Sequence, residues 1–144
     1  MSQNPVWRQP LSASQVGEAD LPRFLTELAI ACETERDADE AGYLAAAIPL
    51  LGTICAPDGQ AEWERVVERV NRLLEAGAHE SAVLALIPNG ATWTGARLPG
   101  GEVVAQVVLE DGNAAHCRKA HSPAMGWLAA LLRARSCQIG KPGN

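Results

Sequence analysis

The sequence predicts an α+β protein, with N-terminal helices followed by a three-stranded antiparallel meander and a closing helix. Two glycine-bearing turns carry the meander: Asp111-Gly112 follows the valine-rich run 103–109, and Leu98-Pro99-Gly100-Gly101 precedes it. Asp-Gly supplies the positive φ angles of a type I′ hairpin turn, whose twist matches that of its strands. The closing helix is announced by Ser122-Pro123. A serine hydroxyl can cap free amides, and proline at the first helical position gives up a donor that had no partner. The third observation is helical periodicity over much of the first half, where apolar residues recur every three or four positions.

Taken in order, residues 1–14 have no periodicity and read as a flexible arm, with Trp7 as its one anchor. A single domain is expected over 15–136, helical over 15–88 and built of sheet plus helix over 89–136. The first helix, about 20–34, starts at Asp20 as cap and aligns Leu21, Phe24, Leu25, Leu28 and Cys32 on one face. The second, about 38–55, has Asp37 as cap and Glu40 as its capping-box partner. Pro49 removes a donor inside it, so a kink or break is expected there. The third, about 60–76, lines Trp63, Val66, Val67, Val70, Leu73 and Leu74 against a charged face and stops at Gly77. The run Ala82–Ile87 could be a buried helix or strand. Its Ala and Leu content, with Ser81 as cap, favours helix. Strands are then expected at about 91–97, 102–109 and 113–119, a helix at 122–135, and a frayed tail over 137–144.

Composition limits what such a chain can do. With one Phe and one Tyr, its four tryptophans carry most of the aromatic bulk. The net charge is −5, and ten acidic against two basic residues lie between Ser12 and Glu62. That excess reads first as solvated helix faces; the sharper reading is an acidic surface that repels nucleic acid or docks on a basic partner. None of the four cysteines forms a C-x-x-C pair and no secretory signal is read, so reduced thiols in the cytoplasm are expected. The apolar run 43–56 is too short for a membrane span, contains Pro49 and reads as a buried helix.

No constellation for chemistry stands out, and neither a cofactor nor a metal is expected. His116 and Cys117 would point to opposite faces of a strand, and His121 lacks the second pair of ligands that structural zinc requires. The glycine-rich turn 98–101 joins two strands, so it lacks the helix N-terminus of a phosphate loop. Helix, three strands and helix is also the order of a double-stranded-RNA-binding domain. That function requires lysines at the start of the final helix, where Pro123-Ala124-Met125-Gly126 is apolar.

What remains is surface. A two-residue Asp111-Gly112 turn pairs Val107 with His116. A four-residue first loop pairs Arg97 with Glu102 and puts Trp93 opposite Gln106. One sheet face is then open and carries Trp93, Val104 and Val108. With Arg118 and Lys119, and the acidic Asp37, Asp39 and Glu40, these make up the expected interaction surface. Its expected partner is another protein, of the host or a second copy in a homodimer.

The Trp93 strand, Gly101-Glu102-Val103-Val104, the Asp111-Gly112 hairpin and His121-Ser122-Pro123-Ala124 leading to Ala129–Ala134 together resemble small phage and prophage proteins of the αβββα "ABA sandwich" type. The resemblance covers about a third of the chain, and the helices between 20 and 76 depart from it. It implies a mobile-element accessory protein, of a family with no well-defined activity and a class that includes inhibitors of bacterial defence. That the protein is not an enzyme is expected from the lack of a catalytic constellation. The alternatives are a nucleic-acid-binding module and a small thiol- or metal-dependent enzyme built on Cys117.

Overall fold

The structure, a computed structural model, describes residues 20–36 and 39–140. Helices α1 (Leu21–Thr34), α2 (Glu40–Cys55), α3 (Gln60–Glu75) and α4 (His79–Leu86) precede strands β1 (Thr92–Arg97), β2 (Val103–Val108) and β3 (Ala114–Ala120), and α5 (Pro123–Gly140) follows. A 3-10 turn, Ala56–Asp58, joins α2 to α3. The strands form one antiparallel meander in the order β1-β2-β3. The expected α+β architecture is therefore the one observed.

Helix α5 is the spine of the molecule. It packs on all three strands and also on α1, α2 and α4. Ala124, Met125, Leu128, Ala129, Ala130, Leu131, Leu132 and Ala134 are all buried, so the narrow stripe read from the sequence widens to most of the helix. Small residues allow this. A Cβ built on Gly126 would stand 3.3 Å from Val103 and 3.5 Å from Cys117 Sγ, so the helix rests almost directly on β2 and β3. Helix α1 lies against α5 and the flank of β3. The amphipathic α3 is outermost, with Val70 its one buried residue.

Local chemistry fixes the start of α5 and the end of α3. Ser122 Oγ accepts from Met125 N at 3.3 Å, with Pro123 opening α5. At the end of α3, Ala78 N donates to Leu73 O and Gly77 N to Leu74 O, with Gly77 at φ 74°. That paired pattern is a Schellman stop.

Other expectations are corrected. Helix α2 starts at Glu40 with Asp39 as cap, its Oδ1 accepting from Gly42 N at 3.0 Å. Asp37, expected in that role, lies outside the described residues, as do Trp7 and the arm. Asp20 makes no side-chain cap bond. Helix α4 begins two residues before Ser81. The break expected at Pro49 is absent, because α2 is held on neighbouring helices along its length and packing outweighs one lost hydrogen bond. The C-terminal residues 137–140, expected to fray, are helical. Ser136 Oγ donates to Pro22 O at 3.2 Å, and Gln138 Nε2 donates to Asp111 Oδ2 at 2.7 Å.

The sheet register is also corrected, by one residue in both hairpins. Trp93 pairs with Val107, not Gln106, and Val107 pairs with Ala115, not His116. Both loops have three residues rather than four or two. Leu98 N donates to Glu102 O around Pro99-Gly100-Gly101, and Leu109 N to Asn113 O around Glu110-Asp111-Gly112. In each, only the last glycine has positive φ, 90° at Gly101 and 89° at Gly112. This is a type I turn closed by a left-handed residue, the usual three-residue hairpin. Val103, Ala105, Val107 and Leu109 face α5 and Val104, Gln106 and Val108 the other side, as expected for Val104 and Val108, while the slip moves Trp93 to the α5 side.

Among the described residues one segment, Glu40–Asp58, is long and apolar enough to cross a membrane by length and composition. The expectation that this run is too short is thereby corrected: helical structure continues past both ends of the apolar run. Within this fold its Tyr43, Leu44, Ala47, Leu50 and Leu51 are buried in the core.

Candidate interaction surface

Among the described residues, three places that combine polar chemistry with accessible space stand out. The first is where α2, α4 and α5 begin. Ser122 Oγ donates to Glu40 Oε2, and His79 Nδ1 lies 2.9 Å from Glu40 Oε1. They border a shallow cavity of about 300 Å³. Serine, carboxylate and histidine are the ingredients of a nucleophilic relay, but the order here is different. In a relay the histidine stands between the other two. Here the carboxylate does, so the serine hydroxyl is bonded to Glu40 while its oxygen caps α5. The cluster ties three helix starts together.

The second is a groove of about 640 Å³ between α1 and β3, lined by Thr26, Ile30, Glu33, Thr34, Arg118, Lys119 and Arg133. Its floor is a buried ion pair. Glu33 is 8% exposed and accepts from Arg133 through both Nε, at 3.2 Å, and Nη2. Its Oε2 also accepts from the backbone N of Arg118 at 2.9 Å. That amide lies on the outer edge of β3, where the strand also bulges. Ala105 pairs with Cys117 and Val103 with Ala120, so Arg118 and Lys119 together oppose the single residue Val104. The bulge turns both basic side chains to solvent at the groove's rim.

Cys117 fills the same irregularity. Ala105 N donates to its Sγ at 3.1 Å, and the thiol reaches Val103 O at 3.7 Å. Burial pushes its pKa up, and the Ala105 amide only partly offsets that. It is a neutral packing group. Cys32 is likewise buried and raised, first by desolvation and then by Glu33 and Glu35. His116 pairs with Gln106 on the opposite face from Cys117, and His121 is exposed beyond the strand. Among the described residues no group of three His, Cys, Asp or Glu could hold one metal ion.

The third place is the sheet's uncovered side. Thr94, Ala96, Val104, Gln106 and His116 line a broad groove of about 500 Å³ there. All six residues of β1 are exposed. Trp93, 44% exposed, lies on the α5 side of β1, with its ring edge against Trp127 at 5.0 Å. Trp127 in turn donates from Nε1 to Thr94 O at 3.1 Å and stacks under Gly95, where a Cβ would meet it at 3.1 Å.

The residues expected to form one surface are therefore distributed. Val104 and Val108 are half-buried on the open face, while the register slip carries Trp93 to the other side at the sheet's edge. Arg118 and Lys119 stand at the bulge. Asp39 caps α2, and Glu40 turns inward to His79 and Ser122. The sequence reading missed Glu33, Arg133, His79 and Ser122 as a polar framework. Their partners are 39 to 100 positions apart, with no local spacing to mark them. The first turn of α5 carries no basic residue, and Ala124, Met125 and Gly126 in it are buried.

Compared with known proteins, the chain matches no family model, no curated protein and no solved structure.

Proposed function

We propose that this chain is a non-enzymatic, cytoplasmic protein-binding accessory protein whose contact surface is the open face of its sheet. One observation carries the reading: α5 covers one face of the meander, while the other presents Thr94, Ala96, Val104, Gln106, Val108 and His116 around an open groove. An antiparallel sheet can leave one face to water, and that face is then usually polar. This one is largely neutral and mixes valine and alanine with hydroxyl and amide groups. Such a composition suits a protein partner better than a phosphate backbone. The resemblance to phage αβββα proteins sharpens the proposal to a phage- or prophage-encoded inhibitor of a bacterial defence system.

The test compares the protein with Val104→Arg as immobilised baits in lysate from a bacterium carrying defence systems. The expected result is a host defence protein retained by the first and lost by the second, together with restored phage plating on that strain. Retention of nothing but the bait itself overturns the reading.

A further inference from the structure

The two edges of the sheet are treated very differently. The β3 edge is protected: α1 packs along it, a bulge twists it, Arg118 and Lys119 charge it, and the Glu33 carboxylate takes its free amide. These are the devices by which proteins prevent sheets from pairing edge to edge. Among the described residues the β1 edge has no covering helix and no bulge, and its one charge is Arg97 at the end of the strand. Its sequence, Thr-Trp-Thr-Gly-Ala-Arg, contains no proline, lysine or acid, pairs without a bulge along its whole length, and is exposed at every position.

The direction of its free backbone groups follows from the hairpin. Leu98 and Glu102 form a hydrogen-bonded pair, and such pairs alternate along an antiparallel ladder. Thr92, Thr94 and Ala96 therefore turn their amides and carbonyls toward β2. Trp93, Gly95 and Arg97 turn theirs outward.

We propose that β1 pairs antiparallel with β1 of a second copy, about a two-fold axis at Gly95, to make a continuous six-stranded sheet. In this register Trp93 faces the second copy's Arg97, Gly95 faces its equivalent, and Arg97 faces Trp93. Each of the three pairs exchanges two backbone hydrogen bonds. The side chains of these residues share the α5 side, since their β2 partners Val107, Ala105 and Val103 are buried there. Trp93 thus meets the guanidinium of the opposing Arg97, a cation–π contact, and β1's only charges avoid each other. Gly95 at the axis has no side chain to obstruct the approach of the two backbones. The self-complementary pattern is what selects a second copy over another extended peptide. Two copies would also join their open sheet faces into one platform.

The test is sedimentation equilibrium at micromolar concentration. The expected mass is twice the 15.2 kDa of the chain. Trp93→Lys places a charge on the edge, and Arg97→Pro removes an outward amide that β2 does not use. Both should raise the dissociation constant at least ten-fold while the far-ultraviolet circular dichroism is unchanged. Thr94→Cys combined with Ala96→Cys, in a Cys137→Ser background, should form a covalent dimer on oxidation, because residues 94 and 96 of opposite copies face each other in this register. A monomeric wild type overturns the proposal. So does a dimer that persists in both edge variants, or one that the paired cysteines fail to trap. Val104→Arg, which alters the open face and not the edge, should remain dimeric, so failure of partner capture and failure of dimerisation read separately.

Discussion

At Glu33, a single carboxylate joins α1 to α5 through Arg133 and to the β3 bulge through the Arg118 amide. A buried ion pair contributes little beyond an apolar replacement, but removing one partner strands the other charge. Glu33→Ala should therefore cost about 3 kcal/mol in the urea-unfolding free energy, discounted because Arg133 keeps some contact with water. Glu33→Gln still accepts from the amide and should cost less. In a double-mutant cycle with Arg133→Ala, the two single costs should exceed the cost of the pair. Strict additivity would mean the pair is not formed. None of this was legible in the sequence, where Glu33 is one acid near the end of the first expected helix. Its burial follows from α1 lying against α5, which no spacing within α1 announces.

At the scale of elements, the two hairpins set which face of the sheet is buried. Residues alternate sides along a strand, so one extra loop residue exchanges the faces. The glycines at 101 and 112 were read correctly as turn residues. Their loop length was not, because Asp-Gly fits a two-residue turn and the end of a three-residue one equally well. Asp111 Oδ1 accepts from Asn113 N at 2.9 Å, which stabilises the longer form. Since Gly112 has φ 89° with nothing near its Cβ position, Gly112→Ala should lose about 1–2 kcal/mol from backbone strain alone. Gly112→Asn should lose less, since asparagine tolerates that conformation. Equal losses for the two, measured by denaturant midpoint, would point to packing instead. The helices were more legible. Ser122-Pro123 and Gly77 act within a few residues of themselves, so their roles survive whatever the rest of the chain does.

For the molecule as a whole, α5 unites the sheet and the helical half, and the thiols report on that unity. Cys32 and Cys117 are buried and neutral, whereas Cys137 is exposed. Native protein should react quickly with a thiol reagent at Cys137, with Cys32 and Cys117 reacting only as fast as the core opens. The same burial has a pH signature. A thiol whose folded pKa is raised stays protonated in the fold, while the unfolded chain ionises near its ordinary value of 9.0. Its stability contribution is complete below that pH and declines above it. Cys32 alone should impose a loss of about 1.4 kcal/mol per pH unit above pH 9.0. Cys32→Ala should flatten that alkaline slope. An unchanged slope would show that Cys32 is not the group responsible.

The order of elements, their types except at 82–87, and most of their ends were determined by the sequence alone, because caps, stops and periodicity are interactions among neighbours three or four residues apart. The tertiary structure decided the sheet register, the burial of α5 on nearly all sides, and the meeting of Glu40, His79 and Ser122. It also decided that Trp93 stands at an open edge rather than on the open face. These outcomes depend on which apolar surfaces cover one another. That choice is made by burial summed over residues up to a hundred positions apart, and no short stretch of sequence contains it.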